Sequence, residues 1–303
     1  MSQRRATPKL RRATNLLRAA LGLPLPAGLS ASERAALALR RTRPAAPPQD
    51  PTVVFLIPLV GRQHVTDHAA VTARLLGTLA SFRAQTDPQW RAIVCSQEDP
   101  GLPEDHRITF LPFTSPVDGN DKWDKLAHLA THLPEFGGDA GYAMPFDADD
   151  LLHPGAVAEM RRGGAPGGYL VRTGYVRDVG TGDIALAGPR SLAQPLRKPF
   201  WKLCGSCAAF AFDTTRDRMD AEFIAAATRH EHRMFPYLAA LAGRRLTVLS
   251  RPSVLYELNH GENFGARRGR VSFKTRFVQR YKVADPAAVA GIESEFALGR
   301  RTG

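Results

Sequence analysis

Gly141-Tyr-Ala-Met-Pro-Phe146-Asp147-Ala148-Asp149-Asp150 leads an apolar approach into a cluster of carboxylates, and Leu-Leu-His-Pro154 follows it. The approach has the composition of a buried strand, and the carboxylates mark its exit, because Asp favours turns and helix starts. A solvated turn would account for a bare acidic cluster. Here the preceding aromatic and apolar residues should fix the carboxylates beside a core. If the backbone stays extended, Asp147 and Asp149 share a face and Ala148 leaves room for an ion and its ligands. The cluster reads as a site for Mg2+ or Mn2+ holding a phosphorylated substrate.

Outward from this stretch the chain alternates strands and helices. Thr52-Val-Val-Phe-Leu-Ile-Pro-Leu-Val60 is a continuous apolar run, the pattern of a central parallel strand. Val71, Leu75, Leu79 and Phe82 recur at helical spacing and predict a helix over 69–85. Strands are predicted over 90–95 and 108–112, and a helix over 121–133. Such a series builds an open α/β sheet of Rossmann-like type, with helices on both faces and a ligand outside the strand carboxyl ends. Residues 58–63, 95–99 and 147–150 fall on that rim. Further on, residues 169–176 and 184–187 suggest a hairpin and 208–212 another strand. A helix is expected over 231–241, a strand over 246–249 and a helix over 271–282.

The 303 residues carry a formal charge of +12, and it is concentrated at the ends. Residues 1–50 hold ten basic and two acidic residues, and 267–303 hold nine basic and three acidic ones. Residues 1–50 read as a basic extension closed by the Pro-rich linker at 43–51, 51–265 as the main domain, and 266–303 as a basic C-terminal segment. Zinc-finger cysteine pairs, a heptad zipper and paired aromatic strands are missing from the sequence, which argues against nucleic acid as partner. An anionic membrane surface fits the termini better. Residues 8–22 can form a helix with Leu10, Leu17 and Leu21 on one stripe and Arg11, Arg12 and Arg18 elsewhere, either lying on a bilayer or packed on the domain. Neither a transmembrane run nor a signal-peptide core is apparent. A cytoplasmic protein, peripheral at the inner membrane face, is therefore expected. Cys204-Gly-Ser-Cys207 has redox-motif spacing without the expected redox unit around it, which favours two buried thiols.

The order of Val53-Val-Phe-Leu-Ile-Pro58, Ala92-Ile-Val-Cys95, Lys122-Trp-Asp-Lys125 and Phe146-Asp-Ala-Asp-Asp150 resembles the GT-A glycosyltransferases, particularly family-2-like enzymes. The resemblance continues through Gly205-Ser-Cys-Ala-Ala-Phe210, His230-Glu-His232 and Tyr256-Glu-Leu-Asn-His-Gly-Glu-Asn263, and covers roughly 51–265. It implies a GT-A fold and a hexosyltransferase-like, inverting enzyme. Its partners would be a nucleotide-diphosphate sugar and a hydroxyl acceptor in surface glycan or glycolipid synthesis. Asp147 and Asp149 would take the Asp-x-Asp positions that bind Mn2+ or Mg2+ and the donor. Asp149 would be the direct ligand and Asp147 a ribose contact or a ligand through water. Asp150 would be a further metal ligand or an orienting group, and His260 another metal or diphosphate contact.

By the same resemblance, Pro58, Arg62, Gln97, Glu98, Lys122 and Lys125 would contact the donor nucleotide or its phosphates, with Lys122 nearest the helix start. Glu231 or His232 would take the acceptor proton. Gly205-Ser206-Cys207 would line the acceptor pocket, although a tight turn explains the glycine equally well. Two departures stand out. The usual Glu-Asp pair is replaced by His230-Glu231-His232, and Asp-Asp-Gly-Ser after the second strand is replaced by Cys95-Ser96-Gln97-Glu98-Asp99. A nucleotidyltransferase is the nearest alternative, since it also joins an α/β nucleotide site to acidic metal ligands. A basic membrane- or nucleic-acid-binding protein with a degenerate transferase core is the other.

Overall fold

A computed structural model of the chain describes residues 3–42, 46–116, 119–215, 217–259, 261 and 271–298. Helices α1 (Lys9–Ala20) and α2 (Ala31–Thr42) precede β1 (Thr52–Pro58), α3 (His68–Arg83), β2 (Trp90–Ser96), β3 (Ile108–Pro112), α4 (Lys122–Thr131) and α5 (Leu133–Phe136). Then come β4 (Ala140–Pro145), β5 (Asp150–Leu152), α6 (Ala156–Gly163), β6 (Gly168–Leu170), β7 (Gly174–Asp178), β8 (Ile184–Ala187) and β9 (Ala208–Asp213). The series ends with α7 (Met219–Thr228), α8 (Phe235–Leu241), β10 (Thr247–Val248), β11 (Val254–Leu258), α9 (Val271–Tyr281) and α10 (Pro286–Glu295).

Seven strands form a mixed sheet in the order β10-β6-β9-β4-β1-β2-β3. The strands β4, β1, β2 and β3 run parallel, so Pro145, Pro58, Ser96 and Pro112 end on one edge. β9 lies antiparallel between β4 and β6. Central β1 is buried along its length after Thr52, as its unbroken apolar run requires. Helices pack around this sheet: α4 and α6 lie against β1, and α7 lies against β9 and α4. The fold is thus α/β with a mixed open sheet.

The aromatic core sets the position of the acidic stretch. Phe55 of β1 stacks on Phe82 of α3 at 3.9 Å between ring centroids. Phe146 meets both rings edge-on, at 5.6 and 5.1 Å. Phe146 is fully buried, and such ring pairs add about 0.5–1.5 kcal/mol each beyond area burial. The residue immediately before the carboxylates is therefore pinned, and the triplet leaves the core at a fixed place.

A second sheet, β5-β11-β7-β8, begins within the acidic stretch, where Asp150 pairs antiparallel with Tyr256. Residues 169–176, expected as one strand, divide between the two sheets. β6 belongs to the large sheet and β7 to the small one, with Val171-Arg172-Thr173 crossing between them. Just beyond the crossing the packing at Gly174 has no room for a side chain, since a Cβ would lie 2.5 Å from Phe200 Cδ2 and 2.7 Å from the Val254 carbonyl. The helix expected over 231–241 is a 3-10 turn, His232–Met234, followed by α8.

The terminal segments lie on this body. Ser30 and Glu33 form a reciprocal capping box at the start of α2: Glu33 N donates to Ser30 Oγ, and Ser30 N donates to Glu33 Oε2. Glu33 Oε1 also accepts from Thr7 Oγ1, Asn15 Nδ2 and the Tyr237 hydroxyl, which ties α1 and α2 to α8. Burial opposes charge on Glu33, but these hydrogen bonds win and hold its carboxyl below the usual range. At the other end, α9 packs against β7, β8 and β11, and α10 contributes Ile292 to a small cluster with Ile184, Leu255 and Phe296.

Candidate functional site

The carboxylates sit just beyond the carboxyl end of β4, on the rim where β1 and β2 also end. One carboxylate oxygen from each of Asp147, Asp149 and Asp150 falls within 4.8 Å of the others, a spacing that suits shared coordination of a small cation. Asp147 and Asp149 are half-buried, whereas Asp150 is fully buried.

Asp150 is held from behind by the Cys204-Gly-Ser-Cys207 turn. Ser206 Oγ donates to Asp150 Oδ2 at 2.5 Å and accepts from Asp147 N at 2.8 Å, while Cys204 Sγ donates to the same Oδ2 at 3.0 Å. Asp150 Oδ1 is buried without a hydrogen-bond partner. Burial pushes the Asp150 carboxyl well above its usual range, and the charges of Asp149 and Asp147 push it the same way. Gly205 permits this packing, since a Cβ there would come within 3.1 Å of Asp147 Oδ2. The small residues expected to line an acceptor pocket thus back the carboxylates. Cys204 and Cys207 are free and buried, and burial raises both thiols far above the usual value, so they sit as neutral groups.

Two lysines face the triplet. Lys122, at the start of α4, places Nζ 2.6 Å from Asp147 Oδ1. Burial disfavours its charge, yet Asp147 outweighs that and raises its pKa. Lys274 of α9 donates to the Tyr256 hydroxyl at 2.6 Å, and its ammonium feels Asp147, Asp150 and Lys122. Burial is the main influence on Lys274 and lowers its pKa. Lys274 was not singled out by sequence. The signal was its spacing from buried Phe277 and Val278, which turns one side of α9 inward.

Lys125, one turn beyond Lys122, is committed elsewhere. Its Nζ donates to the Leu59 carbonyl at 2.6 Å and Gln97 Oε1 at 2.8 Å, and pairs with Asp121 Oδ2 at 2.8 Å. Gln97 Nε2 donates to the same Asp121 oxygen at 2.6 Å. This buried network ties the loops after β1 and β2 to α4. Pro58 ends β1 and is buried, and outside it Arg62 and Glu98 form an exposed ion pair at 3.0 Å.

His232 is half-buried, and its Nε2 is buried without a partner. Burial, followed by the charges of Lys274, Arg233 and Lys122, drives its pKa down to about 3. The imidazole beside the two lysines is therefore a neutral acceptor at physiological pH. Glu231 is half-buried and caps the turn that carries His232. His260 and Asn263 lie outside the described residues. The structure therefore brings together Asp147, Asp149, Asp150, Lys122 and Lys274, with His232 at their side. It sets Lys125 and Gln97 into a supporting network and leaves Arg62 and Glu98 on the outer rim. No family model matches the chain, and no curated protein matches it.

Proposed function

We propose that the chain is a glycosyltransferase that moves a sugar from a nucleotide-diphosphate donor to a hydroxyl acceptor, with Asp147, Asp149 and Asp150 holding Mn2+ or Mg2+. The observation that carries this reading is the convergence of three carboxylates at the carboxyl rim of parallel strands, one of them fully buried with an unpartnered oxygen. A buried unpaired carboxylate oxygen is costly, and a cation would offset that cost. The donor set, three hard carboxylate oxygens, suits these ions. Asp147, Asp149 and Asp150 would hold the ion, which would supply positive charge to offset that on the departing nucleotide.

The chain's own groups supply the rest. Lys122 is placed to exchange Asp147 for a phosphate oxygen, and Lys274, bonded to the Tyr256 hydroxyl, adds a second basic nitrogen near the triplet. His232 offers a neutral nitrogen to a hydroxyl, and the neighbouring Glu231 offers a carboxylate. The Lys125-Asp121-Gln97 network holds the rim in place for the nucleotide. A family-2-like GT-A enzyme, inverting at the anomeric carbon, is the specific form of this reading.

The experiment is a nucleotide-sugar panel with the purified chain, Mn2+ or Mg2+ and hydroxyl acceptors, following nucleoside diphosphate release and acceptor modification. Cation-dependent release of nucleoside diphosphate, abolished in Asp149→Asn, is the expected result. Release of pyrophosphate would establish a nucleotidyltransferase instead. Lack of turnover together with no cation-enhanced nucleotide binding would overturn the reading. Comparing Glu231→Gln with His232→Asn assigns the base, because the true base loses turnover while keeping donor affinity.

A further inference from the structure

The side of α1 that faces away from the body carries leucines. Leu10, Leu17 and Leu21 are 82, 61 and 63 % exposed and follow one another at helical spacing, while Asn15 on the inward side is fully buried against Tyr237. A remote segment shows the same unusual composition. The connection between β8 and the 3-10 turn Phe200–Lys202 carries Leu192, 104 % exposed, and Leu196, 59 % exposed, among Arg190, Lys198 and Lys202.

The two segments are linked through the body: α1 packs on α8, and the His232–Met234 turn leading into α8 packs on the Phe200–Lys202 turn. Lys9 and Arg12 of α1 lie close enough to Lys202 to act on its ammonium, as do Arg190 and Arg233. Arg190, Lys202 and Arg233 act likewise on Lys198. Burial and these cations together lower both lysines. Arg233 is held in place by donating to the Lys202 carbonyl at 3.3 Å, and Lys198 Nζ rests 3.8 Å above the half-exposed Phe273 ring. Counting Lys198 and Lys202 themselves, six cations from three segments are thus gathered, and two of those segments carry the exposed leucines.

We infer that α1 and the 188–202 connection form one docking face for a bilayer containing anionic phospholipid. A polyanion such as nucleic acid would answer the cations but leave the leucines in water. An apolar protein surface would cover the leucines and leave the cations uncompensated. An anionic bilayer meets both needs, with phosphates at the level of the lysines and arginines and acyl chains below them for the leucines. Arg233 adjoins His232, so the face borders the candidate site. On the reading proposed above, an acceptor hydroxyl would then arrive from the membrane surface.

The test is co-sedimentation of the full chain with large vesicles, either pure phosphatidylcholine or phosphatidylcholine with about 30 mol % phosphatidylglycerol, at about 0.1 M and about 0.5 M NaCl. Phosphatidylglycerol vesicles should bind at least tenfold more tightly than neutral ones, and the higher salt should weaken binding. Leu10→Ser/Leu17→Ser and Leu192→Ser/Leu196→Ser should each lose at least tenfold in affinity, with unchanged melting temperature and unchanged turnover on a soluble acceptor. Absent binding, equal binding to both vesicle types, or full retention of binding by the leucine variants would overturn the inference. The last outcome would make the face a charge-only polyanion site. Because turnover on the soluble acceptor is read separately, failure here leaves the transferase reading standing.

Discussion

Lys122 Nζ lies 2.6 Å from Asp147 Oδ1, so an ammonium carried by α4 caps the first carboxylate of the triplet. A cation entering the cluster must share that space with a like charge. Two unit charges about 4 Å apart interact by about 4 kcal/mol at an effective dielectric near 20, and partial exposure of Lys122 screens much of it. Lys122→Met is therefore expected to bind Mn2+ about tenfold more tightly in calorimetric titration while turning over more slowly, because the phosphate contact proposed for Lys122 would be lost. Weaker Mn2+ binding in the variant would show that Lys122 supports the ion site instead of competing for it.

Asp150 has its carboxyl raised above the unfolded value, so the native state holds the proton more firmly. Its stabilising contribution is complete at acid pH and is lost as pH rises through the native pKa. Asn resembles the protonated acid, and its carbonyl can still accept from Ser206 and Cys204. Asp150→Asn should therefore melt higher than the parent at pH 8, by roughly 2–4 °C for each kcal/mol gained, and about equally at pH 4. Cation-dependent turnover should disappear in the same variant. A lower melting temperature at pH 8 would contradict this picture of the site.

For His232 the sign is reversed. Its native pKa, about 3, lies below the ordinary 6.5, so the unfolded chain takes up a proton that the native chain refuses. Stability conferred by the neutral ring is present above pH 6.5 and falls as pH drops toward 3. His230, also lowered by burial, adds a slope of the same sign. His232→Asn should flatten the fall of urea-unfolding free energy between about pH 6.5 and 4. An unchanged slope would mean that His232 is solvated in the native state.

Lys125 is buried with Asp121, Gln97 and the Leu59 carbonyl. Removing its ammonium leaves Asp121, only 3 % exposed, with Gln97 as its side-chain partner within that network. Lys125→Met is expected to cost about 3–5 kcal/mol in chemical denaturation, and Lys125→Met/Asp121→Asn to recover part of it. A loss below about 1 kcal/mol would indicate an open, hydrated network.

The large sheet was legible because its signals are local. The apolar run at 52–60, the helical spacing at 71–82 and the acidic exit at 146–150 each announce themselves within a few residues. Asp67 sharpens the start of α3 by accepting from Ala70 N, one residue ahead of the predicted boundary. The small sheet was illegible because Val171-Arg172-Thr173 has ordinary strand composition, and the close approach of Phe200 and Val254 to Gly174 is a tertiary contact with no local signal. Helix α7 escaped notice because Ala221, Phe223, Ile224, Ala225 and Ala227 are all buried, so it has no polar face to reveal a period. At the site, Asp147, Asp149, Asp150 and Lys122 were readable as chemistry. Lys125 carried the same promise, but its neighbours in space, Gln97 and Asp121, consume it. Lys274 was hidden by the basic residues around it.

The pairing of Asp150 with Tyr256 bears on how the chain is made. Synthesis runs from the N-terminus, so Lys122 already exists when Asp147 emerges, whereas Cys204, Ser206, Tyr256 and Lys274 do not. During that interval Asp150 lacks the strand partner and the Cys204 and Ser206 side chains that enclose it in the folded chain. The strand that buries Asp150 and the helix that brings Lys274, β11 and α9, follow it by more than a hundred residues. A ribosome stalled before β11 would therefore hold the acidic stretch without the antiparallel partner of Asp150 and without Lys274.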